Sequence, residues 1–331
     1  MPVIRMAGSE LHGDAAGSGS PCSRRADHNE LVVPSAADAE RIAALINRRS
    51  QALRGFTEES TEGVREWFAL PTINPRTDMR LAVSAAGDAK GWADVTTRGD
   101  DVAKVWVDLR ALEECQDALA LLFVWAEERA AELVCAGGRI LYVLEEQERV
   151  LRSLLATAGY STGRSFLTME RSLTGVLDTP LWPSGVVAQP FDRSDAEALH
   201  AAQEEAFADD WYHDRQTFSE WKAINLGADA DSSLWRVVRD GSEIAGFCLN
   251  RPRRGEDETV GWIDVLGVRR SWRRTGIGEA LLRESFRLFA AAGKLTAGLG
   301  VDAENPAGAV SLYKSVGMRV VDRRETWERS V

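Results

Sequence analysis

Hydrophobic and polar residues follow two different periods along this chain. Apolar residues three and four apart, such as Ile42, Leu45 and Ile46, predict amphipathic helices, whereas short apolar or alternating runs between turn residues predict strands. In the first half, the predicted helices span residues 37–51, 117–135 and 147–158, and the predicted strands span residues 31–33, 81–83, 91–95, 105–109, 139–144 and 166–171. In the second half, the predicted helices span residues 194–207, 278–292 and 306–315, and the predicted strands span residues 185–191, 234–239, 244–250, 261–268, 295–301 and 318–324.

Both halves show one order of elements: a strand, helical sequence, three strands, a helix, a strand, a helix and a last strand. Because the similarity lies in element order and not in residue identity, it predicts an internal duplication of a mixed α/β domain. The predicted domains span residues 31–173 and 186–331, and residues 174–185, with Pro180 and Pro183, are the expected linker. Residues 1–30 are rich in Gly, Ser, Ala and charge without periodicity, which predicts a disordered tail or an expression remnant.

Composition excludes several classes of protein. The net charge of −11 argues against a general nucleic-acid binder, because such domains usually carry basic surfaces. No stretch approaches about 18 consecutive apolar residues, and residues 1–30 lack the apolar core of a signal peptide, so we expect no membrane span. The four cysteines and four histidines are scattered, without disulfide or zinc spacing. A cytoplasmic protein with reduced thiols and no metal is therefore expected.

One segment carries a chemical signature. After the strand at residues 261–268, the chain presents Arg273-x-x-Gly276-x-Gly278 and then an amphipathic helix. Glycine lets a backbone turn tightly and approach a ligand, and the exposed amides at a helix start form an anion site. Four arginines within residues 269–274 add positive charge, so this loop predicts a pyrophosphate site rather than a structural turn with solvated arginines. The Rossmann and Walker patterns are both absent.

A second motif lies downstream and completes a resemblance. Residues 301–318 contain Asn305, then Leu312-Tyr313, then Gly317-Met318. Together with the Arg-x-x-Gly-x-Gly loop, this run resembles the GNAT acetyltransferase superfamily over residues 187–331. The resemblance implies two tandem α/β (mixed α+β) domains, each with a mostly antiparallel central sheet flanked by helices. It also implies acetyl-CoA as the donor and direct attack by an amine, without a metal.

The resemblance assigns donor contacts to the loop and its flanks. The implied contacts are the amides of Arg274, Thr275, Gly276, Ile277 and Gly278 for the pyrophosphate, and Leu266, Gly267 and Val268 for the pantetheine, on a strand that splays from its neighbour. Arg269, Arg270 and Arg273 are candidates for the CoA phosphates or are solvated surface residues. Asn305 either contacts pantetheine or caps the following helix, and both roles are compatible.

The chemistry needs an acid for the leaving thiolate and a base for the amine. The resemblance assigns the acid to Tyr313, eight residues after Asn305 where many relatives have seven; the alternative is a helix tyrosine packed on the sheet. Asp264 is the candidate base, expected on one strand face with Trp262 and Leu266. Its alternatives are a solvent-facing carboxylate or a pair with an arginine.

The acceptor side is predicted from an acidic and aromatic segment over residues 204–214. The candidate residues there are Glu205, Asp209, Asp210, Trp211 and His213. Such a segment suits a cationic amine, and the alternative is a solvated acidic loop. We therefore expect a small-molecule amine as the acceptor and a monomer or homodimer.

The first half lacks the donor loop. Residues 110–116 are acidic and contain no glycine, so we predict that this domain has lost CoA binding. A degenerate first half before an intact second half resembles two-domain members of the mycothiol-synthase type, which acetylate an amine of a cysteinyl sugar conjugate. Those members carry a Glu where this chain has Trp262, so the acceptor is not transferred. The alternatives are a peptide or protein N-acetyltransferase, a transferase of longer acyl groups, and a non-catalytic CoA-binding or interaction protein.

Overall fold

The computed structural model describes residues 29–55, 57–69, 73–98, 101–210, 215–226, 231–255, 257–305 and 308–331. These residues divide into two compact units. The C-terminal unit is Arg164–Arg323, and the N-terminal unit is the described chain up to Gly163 together with residues 324–331. Across the described ranges, no helix combines the length and the hydropathy that a membrane crossing requires.

The N-terminal unit contains a mixed sheet with helices on both faces. Its elements are β1 (Glu30–Val32), α1 (Ala39–Arg54), α2 (Thr61–Phe68), α3 (Pro75–Asp78), β2 (Met79–Val83), β3 (Ala89–Arg98), β4 (Asp101–Ala111), α4 (Gln116–Leu133), β5 (Arg139–Glu145) and α5 (Arg149–Thr157). The strands run in the order β1-β2-β3-β4-β5, and only the β4–β5 pair among them is parallel.

The C-terminal unit repeats this layout. Its elements are β6 (Ser161–Ser172), β7 (Val186–Pro190), α6 (Ala196–Phe207), α7 (Phe218–Asn225), β8 (Arg236–Asp240), β9 (Glu243–Arg251), β10 (Val260–Val268), α8 (Ile277–Ala291), β11 (Thr296–Asp302), α9 (Ala309–Ser315) and β12 (Arg319–Ser330). The strands run in the order β6-β11-β10-β9-β8-β7, and β10–β11 is the parallel pair. The predicted fold class and repeated element order are confirmed.

Two short helices after α1 and α6 were not predicted by periodicity, because about two turns give too few apolar positions. Their capping residues were a usable signal. The side chain of Ser60 accepts a hydrogen bond from the amide of Gly63 at the start of α2. Thr217 and Glu220 form a complete capping box at the start of α7.

Most of the last strand of each sequence half belongs to the other half's unit: residues 164–172 of β6 to the C-terminal unit and residues 324–330 of β12 to the N-terminal unit. Residues 166–172 of β6 pair with β11, and residues 324–330 of β12 pair with β5, both antiparallel. The units therefore differ from the predicted boundaries, which kept residues 164–173 with the first half and residues 324–331 with the second. Hydrophobic periodicity predicts a strand but does not identify its partner, so this exchange was not visible in the sequence.

Two apolar clusters cover the faces of the C-terminal sheet. On the face of α8 and α9, the core contains Ile263, Leu281 and Phe286. On the face of α6 and α7, it contains Trp221 and Phe247. We call these the α8 face and the α6 face. Strands that are buried on both sides hold their register firmly, because a slip by one residue would exchange the two faces.

The N-terminal unit also contains a buried network of charges. Glu58, 3% exposed, lies within ion-pair distance of Arg54, Arg110 and Arg324. Glu145, also 3% exposed, pairs with Arg324 at 2.7 Å and with Arg54 at 3.2 Å. Burial by itself raises the pKa of Glu58, but the surrounding arginines outweigh it and hold that pKa well below its usual range. Glu58 is therefore ionised inside the unit.

Another acidic residue in this unit, Asp94, has a pKa that is shifted upward instead of downward. Asp94 on β3 lies directly across from Asp108 on β4. Burial, and then the charge of Asp108, raise the pKa of Asp94 well above its usual range. A carboxyl group with a raised folded pKa contributes its full stability below the unfolded pKa of about 3.9 and loses it as pH rises through the folded pKa.

We therefore expect Asp94→Asn to melt at a higher temperature than the wild type at pH 7–8, and at nearly the same temperature near pH 4. The amide imitates the protonated carboxyl, and each kcal/mol recovered corresponds to roughly 2–4 °C in a chain of this size. Differential scanning calorimetry across pH measures the difference. Asp88→Asn, at the exposed residue just before β3, is the control and should not change this dependence. A lower melting temperature for Asp94→Asn at pH 8 would contradict the shift.

Candidate functional site

The parallel strands β10 and β11 separate at one point. Their ladder runs from Val260–Thr296 to Ile263–Leu299, after which β10 continues to Val268 and β11 to Asp302. In the same place the register between β10 and β9 shifts between Ile263 and Val265, so Asp264 is a bulge residue. Gly300 of β11, just beyond the separation, is exposed although it lies in a central strand. The backbone edges of β10 and β11 here can pair with an extended ligand.

The bulge also corrects the predicted strand face. Leu266 packs with Ile263 in the α8-face cluster, whereas Val265 packs in the α6-face cluster. Trp262 neighbours Ile263 in the regular part of the strand and therefore points to the other face from Ile263 and Leu266. The prediction that Trp262, Asp264 and Leu266 share one face was therefore wrong at Leu266, because an inserted residue reverses the alternation.

The donor loop, residues 269–278, turns from β10 into α8 through a short 3-10 helix. Arg274 adopts a left-handed φ of 65° and Gly276 a φ of 99°, and α8 begins at Ile277. Within the described chain, the backbone amides of residues 274–279 donate no hydrogen bond to another residue. Successive unpaired amides beside a left-handed residue, at the positive end of a helix dipole, form an anion-binding concavity. This is the geometry that a pyrophosphate requires.

Two further glycines in this region leave room that a side chain would fill. A Cβ on Gly278 would lie 3.3 Å from Cδ2 of Leu312. A Cβ on Gly267, within the separated part of β10, would lie 2.3 Å from Cζ of Phe247. The predicted pantetheine strand Leu266, Gly267 and Val268 is therefore in place beside the separation, with its backbone close to the α6-face cluster.

We expect Gly276→Ala to weaken acetyl-CoA binding about tenfold, since forcing a left-handed conformation on alanine costs about 1–3 kcal/mol and alters the amide cradle. Isothermal titration calorimetry measures the Kd. Gly293→Ala is the matched control, because Gly293 has a φ of +77° at the other end of α8 and no atom within 4 Å of its added Cβ. Equal losses of affinity in both variants would show that the cradle does not hold the donor.

Three arginines of the donor loop have partners within the protein. Arg269 pairs with Glu205 at 2.6 Å, and Arg270 pairs with Asp209. Arg273 donates to the backbone carbonyls of Ala206 at 2.7 Å and Val268 at 3.2 Å. Of the four loop arginines in the described structure, Arg274 is the one whose guanidinium has no carboxylate or carbonyl partner, and it is exposed. The amides and Arg274 are thus the available anion ligands.

Tyr313 lies on α9, is 7% exposed and faces the α8-face core. Burial first, then the nearby Cys248 and Asp210, raise the pKa of Tyr313 above its usual range. Within the described chain its hydroxyl has no hydrogen-bond partner. A phenol that stays protonated and is not engaged by the protein can give its proton to a ligand.

Cys248 on β9 is the neighbour of Tyr313 that sequence reasoning missed. Its sulfur lies 3.3 Å from Oδ1 of Asn250 and 3.3 Å from Oγ of Ser285, and the residue is fully buried. Burial raises the pKa of the thiol to about 12, so it stays neutral. The signal was present as polar residues at two-residue spacing in an apolar strand, but scattered cysteines were read only as reduced thiols.

Asp264, the candidate base, is paired rather than solvated. Its side chain is 5% exposed, and its Oδ2 lies 2.8 Å from both Nε and Nη2 of Arg251. Its charge contributes to the raised pKa of Cys248, which places it in electrostatic range of the same centre. Asp264 and Tyr313 are thus both brought to the region of the strand separation, as the sequence suggested, and Arg251 joins them there.

The remaining predicted residues have different surroundings. Glu205 and Asp209 pair with loop arginines, whereas the charge of Asp210 contributes to the raised pKa of Tyr313.

Asn305 precedes α9 but does not cap it, because the N-cap is Gly308, whose amide donates to the carbonyl of Asn305 at 3.2 Å. Thr275 donates to the carbonyl of Trp272, and Ile277 is buried in the α8-face core. Trp211 and His213 lie outside the described residues.

Comparisons with known proteins agree with this geometry. Residues 196–318 match the model of the acetyltransferase (GNAT) family. The mycothiol acetyltransferase of Streptomyces coelicolor is 28% identical over 297 residues, which cover 82% of this chain and 92% of that protein. The mycothiol acetyltransferase of Streptomyces scabiei is 31% identical over 196 residues, covering 57% of this chain and 61% of that protein.

Solved structures give the same fold over the chain. A GCN5-related N-acetyltransferase from Sphaerobacter thermophilus superposes with a TM-score of 0.75 at 28% identity, covering 91% of this chain and 95% of that one. A tandem GNAT protein from the clavulanic acid biosynthesis pathway superposes with a TM-score of 0.68, covering 92% of this chain and 98% of that one. At 13% identity, the second likeness concerns the fold alone.

Proposed function

Since residues 196–318 form a domain of the GNAT acetyltransferase family, we propose that this chain transfers an acetyl group from acetyl-CoA to the primary amine of a small molecule. One observation carries the proposal: the domain combines the separation of β10 from β11, the unpaired amides of residues 274–279 and the buried phenol of Tyr313. An extended pantetheine, a pyrophosphate and a leaving thiolate, respectively, need these three features. The proposed donor contacts are the amides of residues 274–278, the strand Leu266 to Val268 and Asn305, with Arg274 as the available loop cation.

The proposed reaction is a direct attack. The amine nitrogen bonds to the thioester carbonyl carbon, and a backbone amide of β10 in the separated segment stabilises the oxyanion. When the C–S bond breaks, the thiolate takes the proton of Tyr313. The proton of the attacking amine passes to Asp264 through water. The pair with Arg251 holds the carboxylate of Asp264 in place, with its Oδ2 2.8 Å from Nη2 of Arg251.

The acceptor is proposed from charge and from the named relatives. The relatives are mycothiol acetyltransferases. Because Glu205 and Asp209 pair with loop arginines, Asp210, whose charge acts on Tyr313, is the carboxylate proposed to favour a cationic acceptor. Trp262 differs from the Glu expected in that type, and Gly298 accommodates it, because a Cβ there would lie 2.7 Å from the Trp262 ring. The site next to β10 is thus walled by an indole where a carboxylate was expected. We propose a small amine acceptor in a cytoplasmic protein without naming the metabolite.

The N-terminal unit is proposed to have lost the donor site. Corresponding strands of the two units can be aligned by their residue pairs. One pair before the end of β10, Gly267 lies opposite Phe247 of β9, and one pair before the end of β4, Arg110 lies opposite Trp92 of β3. Arg110 therefore stands where the C-terminal unit has Gly267, and it is bound to Asp108 and Glu58. The β4 register shows no shift corresponding to the Asp264 bulge. In the N-terminal unit, charged side chains therefore take the position that corresponds to the proposed donor site of the C-terminal unit.

The test is a thiol-release assay with purified protein and acetyl-CoA. The amines should include cysteinyl conjugates, aminoglycosides, polyamines and short peptides, each checked by mass spectrometry for an added acetyl group. We expect transfer to at least one small amine. Transfer to peptides alone would replace the proposed acceptor class, and failure of acetyl-CoA to raise the melting temperature at saturation would contradict donor binding.

A further inference from the structure

The donor loop is attached to the end of α6 by three arginines, which we call the arginine clasp: Arg269, Arg270 and Arg273. Arg273 joins the two segments through backbone atoms. Its Nη2 donates to the carbonyl of Ala206 at 2.7 Å, in the last turn of α6, and its Nε donates to the carbonyl of Val268 at 3.2 Å, at the end of β10. Carbonyls in a last helical turn lack helical partners, and a cation there is favoured by the helix dipole.

The other two arginines contact carboxylates in the same turn and just beyond it. Nε and Nη2 of Arg269 lie 2.7 Å and 2.6 Å from Oε2 of Glu205, and Nη1 donates to the carbonyl of Ile244 at 3.1 Å. Arg270 pairs with Asp209. A single surface ion pair contributes little, but three contacts converge on residues 205–209 from one loop. The loop and the end of α6 are thus held together at several points.

The segment that the arginine clasp contacts, residues 205–209, is followed by a residue that acts on Tyr313. Asp210 follows Asp209, and its charge contributes to the raised pKa of Tyr313. The same segment begins the stretch from which acceptor residues are proposed. The donor loop, the end of α6 and the catalytic phenol are therefore linked through consecutive residues, although the guanidinium groups of Arg269, Arg270 and Arg273 already have protein partners.

We infer that Arg269, Arg270 and Arg273 are positioning residues that couple acetyl-CoA binding at the donor loop to the order of residues 205–210, and that they are not phosphate ligands. This inference rests on the proposed donor site. When acetyl-CoA binds the loop amides, the clasp restrains the end of α6 and thereby fixes Asp210 beside Tyr313. Coupling between two sites of one domain typically amounts to about 5–150-fold in affinity or population.

Amide hydrogen exchange tests the coupling without an identified acceptor. In the wild type, saturating acetyl-CoA should slow exchange in peptides covering residues 199–210 about fivefold or more, as well as in peptides covering the loop. In Arg273→Gln, and independently in the double variant Glu205→Gln/Asp209→Asn, the loop should remain protected while the protection of residues 199–210 disappears. The double variant keeps all four loop arginines, so its behaviour reports the clasp and not lost positive charge.

A matched control lies at the other end of the same helix. Arg239 pairs with Asp195, at the start of α6, at 2.6 Å. Arg239→Gln should keep acetyl-CoA-dependent protection in both regions. Melting temperatures measured without ligand check that each variant is folded, and because the double variant alters only carboxylates, it remains informative if Arg273→Gln does not fold.

A truncated donor separates positioning from phosphate contact. S-acetyl-pantetheine lacks the pyrophosphate and the nucleotide, so a phosphate ligand cannot influence its binding. If Arg269→Gln or Arg273→Gln lowers acetyl-CoA affinity about tenfold and leaves S-acetyl-pantetheine affinity unchanged, the residue is a phosphate ligand and the inference is overturned. Protection of residues 199–210 that persists in both clasp variants also overturns it, with the proposed function intact. If wild-type protein binds no acetyl-CoA, the proposed function and the inference fail together.

Discussion

Replacing Tyr313 by phenylalanine is expected to slow acetyl transfer about a hundredfold to ten-thousandfold, the usual contribution of a general acid, while the Kd of acetyl-CoA is unchanged. The phenol is buried, and its hydroxyl has no hydrogen-bond partner in the described chain. Single-turnover thiol release measures the rate, and calorimetry measures the Kd. Tyr160→Phe is the control, because it removes a hydroxyl that donates to Glu127 in the N-terminal unit and should leave transfer intact.

The pH profile gives this prediction a second, independent readout. The raised pKa keeps Tyr313 protonated even at pH values near its ordinary pKa of about 10. Deprotonation of Tyr313 should therefore not slow wild-type transfer below that pH. Asp210→Asn removes one of the charges that raise this pKa, and the loss of activity at high pH should then begin earlier. If Tyr313→Phe transfers acetyl groups as fast as the wild type across pH, Tyr313 is a packing residue and another group supplies the proton.

Arg324→Met is expected to destabilise the N-terminal unit by about 3–5 kcal/mol, the typical cost of removing one partner from a buried ion pair. Arg324 contacts both Glu58 and Glu145, each 3% exposed, so methionine leaves two buried carboxylates short of a cation. The pKa of Glu58 should then rise from its lowered value, and the loss of stability should be larger at pH 7 than at pH 4. Urea unfolding followed by tryptophan fluorescence measures both effects.

The same strand offers a control for the buried network. Glu328 on β12 pairs with Arg139, whose side chain is about half exposed. Glu328→Gln should therefore change the free energy of unfolding by less than about 1 kcal/mol, as exposed ion pairs do. If Arg324→Met and Glu328→Gln lowered the free energy of unfolding equally, the buried network would contribute no more to stability than an exposed ion pair.

Most of the fold could be predicted from hydrophobic periodicity, because the long elements are buried on one face or on both. The donor loop could be predicted because its glycines are required by the backbone: Gly276 is left-handed, and Gly267 and Gly278 face close neighbours. The left-handed turn at Gly276 acts within a few residues of chain and is visible in a single sequence for that reason. The neighbours of Gly267 and Gly278 are Phe247 and Leu312, which are distant in the sequence.

The parts that could not be predicted depend on packing between distant segments. Arg269, Arg270 and Arg273 were predicted to be CoA phosphate contacts or solvated surface residues, because the sequence does not show that the end of α6 lies against them. The bulge at Asp264 reverses a strand face without any glycine or proline to mark it. Cys248 lies beside Tyr313 only because β9 and α9 meet in the α8-face core.

The exchange of β6 and β12 has a consequence for synthesis on the ribosome. Residues 324–330 emerge after the whole C-terminal unit, yet they are the partner of β5. Until then, β5 presents an unpaired edge and Glu58 and Glu145 lack Arg324. The N-terminal unit must therefore finish folding last although it is made first, and a chain cut within residues 174–185 would leave β5 exposed to pairing with other molecules.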